Sequence, residues 1–185
     1  MKTKILFIAF IIMALAQLAI PAQMVWKNEL AYIYGTVYKF KTEPVDPNDP
    51  LRGKYVQLGF EADEVKVNNG DWQYGEKGYA VIGKDHNGFA YIKELTREKP
   101  KNSDYIPVTV NYNYDGKVTI KYPFERFYME ESKAPDAERL YRENNSGEKK
   151  LPAHAIVAIK DGVAVVKDVI LDGMPIKEYI EKHRK

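Results

Sequence analysis

No cysteine occurs among the 185 residues. Disulfide frameworks, thiolate catalysis and Cys-based zinc or iron–sulfur sites are therefore excluded. Histidine is nearly as scarce: His86, His154 and His183 are widely separated, and no two stand at metal-ligand spacing. An excess of charge of one sign is also missing, with 28 basic side chains against 26 acidic ones. General nucleic-acid affinity needs a strongly basic face that displaces counterions, so no nucleic-acid partner is expected. The surplus of two positive charges is Lys2 and Lys4, the only charged side chains before Lys27, and the remainder of the chain is neutral. No Gly-rich phosphate loop, internal repeat or low-complexity tract is present.

The sequence contains one long hydrophobic run. Ile5 to Ile20 is apolar except for Gln17, behind the basic lead Met1-Lys2-Thr3-Lys4. As a membrane anchor, the run must reach roughly 20 residues to cross the hydrocarbon. Extension through Pro21 to Trp26 supplies that length, with Trp26 as an interfacial aromatic. As a cleaved signal peptide, Ile5 to Met13 is the hydrophobic region and Ala14-Leu15-Ala16 the small-residue cleavage site. A buried core helix is the third reading, but four turns without a polar stripe argue against it. Anchor and signal peptide both export the rest of the chain. The basic lead favours a cytoplasmic N-terminus, a bias that Lys27, Lys39 and Lys41 weaken. The expected organisation is a signal-anchor over 1–26 and one extracytoplasmic domain over 27–185.

Period-two alternation governs that domain. Gly35 to Thr42 predicts a strand with Tyr38 and Phe40 on one face and Lys39 and Lys41 on the other. Tyr55 to Ala62 predicts another, with Val56, Leu58, Phe60 and Ala62 aligned on one side. Asp115-Gly116 between Tyr105–Tyr114 and Lys117–Phe124 is a type I′ hairpin signal. Asp161-Gly162 between Ala153–Lys160 and Val163–Leu171 repeats it. Gly78–Gly83 and Phe89–Leu95 form a third hairpin around Asp85-His86-Asn87-Gly88. Asp172-Gly173 ends the last strand. Short helices are expected from about Pro135 to Asn144 and from Pro175 to Lys185, the latter with an apolar stripe of Ile176, Tyr179 and Ile180. The predicted fold class is mainly β (α+β): an N-terminal transmembrane helix, then one antiparallel β-rich domain with one or two short helices.

The segment joining the first two strands is unusual. Pro44, Pro47 and Pro50 fix φ three times in seven residues and remove three backbone donors, so the loop is stiff. Asp46 and Asp49 can cap nearby N–H groups, and Gly53 suits a positive φ before the strand. Arg52 offers a planar donor fork for one of those aspartates or for a ligand carboxylate or phosphate. Asp46, Asn48 and Asp49 are hard oxygen donors, yet the spacing of a calcium-binding EF-hand loop is absent. A turn braced by Asp and Arg is the structural reading, and neither a metal nor a cofactor is expected.

The run from Thr42 to Phe60 resembles the GDYXXLXY family, named for its motif. Gly53, Tyr55 and Leu58 match that motif, behind a family-like Pro-Val-Asp-Pro…Arg-Gly lead. Lys54 stands where the family has Asp, which removes a carboxylate. Phe60 stands where it has Tyr, which keeps the ring and drops the hydroxyl, as suits an inward position. A looser likeness covers the anchor, Gly35-Thr36, Glu125-Arg126-Phe127-Tyr128 and Val163 to Gly173. The resemblance implies a single-pass protein of the bacterial cytoplasmic membrane with its C-terminal domain on the extracytoplasmic (periplasmic) side. Family members are encoded near multi-pass membrane proteins, which implies such a partner beside the lipid bilayer that residues 5–26 would enter.

Nothing in the chain assembles a catalytic centre. A Ser–Lys peptidase needs its serine soon after the anchor, whereas Ser103 is the first serine and Ser132 and Ser146 follow in polar surroundings. Glu125 and Arg126 could form a functional ion pair or one that merely braces a strand. The leading expectation is a non-enzymatic interaction domain whose candidates are Asp46, Asp49, Arg52, Gly53, Tyr55, Leu58, Phe60, Glu125 and Arg126. The alternative is a small-ligand or glycan-binding domain using Tyr55, Tyr112 and Tyr114 among its fourteen tyrosines; a hydrolase is the remaining reading.

Overall fold

The structure, a computed structural model, describes residues 2–43, 55–67, 71–128 and 152–183. Helix α1 (Lys2–Tyr34) is long and apolar enough to cross a membrane, and none of its most apolar window is buried against the protein. It continues beyond Trp26 for two more turns. Charged residues at Lys27 and Glu29 end the apolar run but do not break a helix. Its end packs against β10 (Ala153–Lys160) and β11 (Val163–Leu171). Ala31 is fully buried there, and the Lys167 ammonium lies 4.6 Å above the Tyr32 ring. Ala158 faces away from the core residues Val157 and Ile159, yet it is fully buried where α1 packs. Gly35 N–H donates to the Ala31 carbonyl at 2.9 Å. A Cβ at Gly35 would clash with that same oxygen, so only glycine allows the chain to turn this tightly from helix to strand.

β1 (Thr36–Glu43) follows at once. A first sheet has the order β12-β11-β10-β1-β3, with β3 at Gly59–Phe60 and β12 at Met174–Pro175. A second has the order β4-β8-β7-β5-β6: β4 Glu64–Lys66, β5 Lys77–Lys84, β6 Ala90–Thr96, β7 Tyr105–Tyr114 and β8 Lys117–Lys121. β2 (Tyr55–Gln57) and β9 (Arg126–Tyr128) form a two-stranded ribbon. The ladders are antiparallel, as expected, and the C-terminal helix α2 spans Ile176–His183. Ile176 and Tyr179 of its predicted stripe are buried.

The two long hairpins turn where the Asp-Gly signals stand. Asp115 and Gly116 have φ of 51° and 73°, Asp161 and Gly162 of 51° and 82°, the double positive φ of a type I′ turn. Asp172-Gly173 adopts the same signs, and here the expectation needs correcting. The pair does not end the sheet but turns it into β12, so Pro175 pairs with Ile170 instead of opening α2. A second correction concerns Tyr55 to Ala62, which is not one strand. β2 pairs with β9 and β3 with β1, and the break falls at Leu58, whose N–H donates to the Glu125 carbonyl at 2.8 Å. The period-two pattern survives across the break because Leu58 and Phe60 still point inward. The helix expected over Pro135 to Asn144 lies outside the described residues.

The core lies between the sheets, around four rings. Phe40, Phe60, Tyr122 and Phe124 have centroid separations of 5.1 to 5.6 Å, mostly edge-to-face. Tyr122 donates its hydroxyl to the Ala62 carbonyl, and burial pushes its pKa up. Tyr38 bridges the sheets by donating to Asp104 Oδ2 at 2.8 Å, and burial followed by that carboxylate raises its pKa. The β5–β6 turn closes the other seam: Lys39 N–H donates to the Gly88 carbonyl at 3.2 Å. Phe89 sits there with its centroid 5.7 Å from the His154 ring and 5.8 and 5.4 Å from the Lys39 and Lys41 ammonium groups. Asp85 holds this turn through Oδ1, which accepts from the Asn87 and Phe89 N–H groups.

Two measurements test this packing. Phe60→Ala removes a ring at the centre of the cluster and should cost about 3–5 kcal/mol, whereas Tyr114→Ala on the exposed surface should stay within about 0.5 kcal/mol. Urea denaturation measures both. Burial, aided by the Lys39 charge, lowers the His154 pKa. The unfolded chain therefore binds that proton more readily, and stability should fall as pH drops from about 7 towards 5. His154→Gln should flatten the melting temperature across this window. The loss below about pH 4.5 should persist, because the lowered carboxylates of Asp85 and Glu76 remain.

Candidate functional site

Of the motif residues, Leu58 and Phe60 are placed in full by the structure. Leu58 and Phe60 belong to the core. Tyr55 opens β2, where its backbone is in register with Tyr128. Asp46, Asp49, Arg52 and Gly53 lie outside the described residues. Their flanks are nonetheless placed. Glu43, the last residue of β1, is in register with Gly59, and Lys41 with His154, two residues after Pro152. Glu43 and the start of β10 therefore lie at the end of β1 opposite to α1. The Glu125 carboxylate lies 3.4 Å from Lys121 Nζ, and its carbonyl accepts from the Leu58 N–H. Arg126 lies in β9 opposite Gln57, with an exposed side chain.

Sequence reasoning missed a second cluster. A shallow groove of about 590 Å³ runs between β4 and the end of β6, lined by Lys66, Val67, Trp72, Leu95 and Arg97 among others. The Arg97 guanidinium stacks 4.2 Å from the Trp72 ring centre. Its Nε donates to Glu76 Oε1 at 2.5 Å, and its Nη2 donates to Glu76 Oε2 at 3.3 Å and the Asp71 carbonyl at 3.2 Å. These bonds hold the Glu76 carboxyl below its usual range and the guanidinium above its own. The fork is thus committed to bracing the loop between β4 and β5. A pairing of positions 76 and 97 carries no local sequence signal, because only the fold brings them together.

The glycan-binding reading keeps one pair together, whereas the described residues of the hydrolase reading form no cluster. Tyr112 and Tyr114 are exposed on one face of β7, their rings 16° from parallel and 6.4 Å apart. Asn113, on the other face, donates to the Trp72 carbonyl at 2.9 Å. Ser103 and Lys99 line one shallow groove. The Tyr105 hydroxyl raises the Lys99 pKa, the opposite of what a neutral-amine base requires. His86 is exposed in the β5–β6 turn, and His154 packs against Phe89.

Comparison with curated proteins and with solved structures returned no match. The family model described as GDYXXLXY protein matches residues 17–169, which span the second half of α1, the whole second sheet and the first sheet as far as most of β11. That match covers well over half of the chain, and the protein belongs to the GDYXXLXY family.

Proposed function

We infer that the chain is a single-span membrane protein, anchored by α1, whose β domain works outside the cytoplasm as a non-enzymatic interaction module. The observation that supports anchorage is the continuity of α1 from Lys2 to a docked end at Tyr34. Cleavage after Ala16 would leave Leu18, Ile20, Met24, Val25 and Trp26 on a helix still fixed to the domain. All five side chains are exposed and apolar, and water would have to solvate them. An uncleaved span places them in lipid. The cytoplasmic membrane, with Lys2 and Lys4 on its inner side, fits the positive-inside bias.

The proposed partner is a second membrane protein or an envelope component, met at the end of β1 far from α1, where Asp46, Asp49 and Arg52 would be presented. Support comes from the placement of Glu43 and Tyr55, which root that stiff segment beside the β2–β9 ribbon. Crosslinking in native membranes should recover a membrane protein, with the yield reduced by Arg52→Ala and Asp49→Ala. Recovery of none would contradict the partner. Sequencing the mature N-terminus should find Met1 or Lys2; a start at Gln17 would contradict the anchor.

One observation favours a second reading. The near-parallel exposed rings of Tyr112 and Tyr114 offer apolar faces of the kind that sugars stack on. If they bind glycan, envelope oligosaccharides should raise the melting temperature progressively with concentration, and Tyr112→Ala should abolish the rise.

A further inference from the structure

The junction between α1 and the domain carries a surface that the interaction role does not use. Beyond Trp26, the exposed large aliphatic side chains among the described residues are Ile33 and Val37, 55% and 42% accessible. Tyr34 lies between them at 69%. The other exposed large hydrophobic residues described in the domain are all tyrosines, which tolerate water. Among the described residues of the domain, the exposed aliphatic surface thus lies around the point where the helix enters the fold.

Geometry ties this patch to the bilayer. From Trp26 to Ala31 is five helical steps, about 7.5 Å. The headgroup layer occupies roughly 5–8 Å beyond the hydrocarbon. Ala31 is already buried against the domain, so no linker separates the two. The docked end also fixes the angle at which the domain is held. Transmembrane helices tilt by about 20° on average. Ile33 stands on the last turn of α1, seven helical steps or about 10.5 Å beyond Trp26, and tilt lowers the side chains on one flank of that turn towards the headgroups. Trp26, Tyr32 and Tyr34 supply the aromatic residues favoured at a membrane interface. Lys27 and Glu29 offset each other in the same turn, leaving apolar and aromatic contact as the attraction.

We propose that Ile33, Tyr34 and Val37 form a collar that seats the domain on the lipid headgroup surface, in addition to the span itself. The occupant is the bilayer. This rests on α1 being an uncleaved anchor, and the experiment separates the two claims.

The absence of native cysteine allows single-site labelling of the full-length chain. Ile33→Cys, Val37→Cys and Tyr114→Cys would each carry a fluorophore in vesicles of phosphatidylcholine containing a lipid nitroxide-labelled near its headgroup. Tyr114 ends β7, nine residues and about 30 Å from Tyr105, whose ring abuts Gly162 in the turn after β10. Vesicle flotation after an alkaline wash reports the span. Labels at 33 and 37 should lose most of their fluorescence, and the label at 114 should keep it. Added phosphatidylglycerol should change neither result. The proposal is overturned if floated protein leaves positions 33 and 37 as open to aqueous iodide as 114. Protection from iodide without nitroxide quenching would also overturn it, since a second copy would then cover the patch. Loss of flotation would instead remove the anchor on which the proposal stands. Each labelled variant should melt at the unlabelled temperature, because all three sites are exposed.

Discussion

The rest of the structure depends on the contact between the last turn of α1 and the outer face of β10 and β11. Ala31 is fully buried there, and Gly35 turns the chain so tightly that its N–H returns to the Ala31 carbonyl. β1 starts one residue later and pairs with β10 through six consecutive positions, from Thr36 with Ile159 to Lys41 with His154. Helix and first sheet are therefore joined through a continuous hydrogen-bonded path. A helix long enough to cross a bilayer becomes part of the folded domain, not a tether for it.

This arrangement gives the domain two ends. At one, α1, the β10–β11 turn and the start of β7 gather. At the other, β1 ends at Glu43, in register with Gly59, near the start of β10. Between the ends, Phe40, Phe60, Tyr122 and Phe124 hold the sheets together, with Tyr38 and Asp104 as a polar bridge. The motif is thereby split by role. Leu58 and Phe60 secure the core, while Tyr55 opens the β2–β9 ribbon. Phe60 in place of tyrosine is consistent with this, since the ring is enclosed by three others and a hydroxyl there would need a buried partner.

Features encoded within a few residues are legible in the sequence. The Asp-Gly pairs at 115–116 and 161–162 define their turns because positive φ at two successive residues is a local demand. Tyr38 and Phe40 alternate with Lys39 and Lys41 as an inward and an outward face. Features set by distant partners are not legible. The break at Leu58 depends on Glu125, 67 positions away in the chain. β3, β4, β9 and β12 are two or three residues long, too short for any periodicity. The extension of α1 to Tyr34 follows from docking of Ala31, whereas the sequence marks only the end of the apolar run. Of the candidate residues, the inward face of Leu58 and Phe60 is legible from the period-two pattern, and both lie in the core; the Arg97, Glu76 and Trp72 brace emerges only once the second sheet is assembled.

The junction at Ala31 and Gly35 makes α1 and the domain move as one body. Spin labels at Asn28→Cys on α1 and Tyr114→Cys at the far end of β7, in the full-length chain in vesicles, test it by pulsed dipolar distance measurement. A docked junction predicts a single narrow distance distribution that Gly35→Ala broadens. A distribution in the unmodified junction as broad as that of a flexible linker would contradict it.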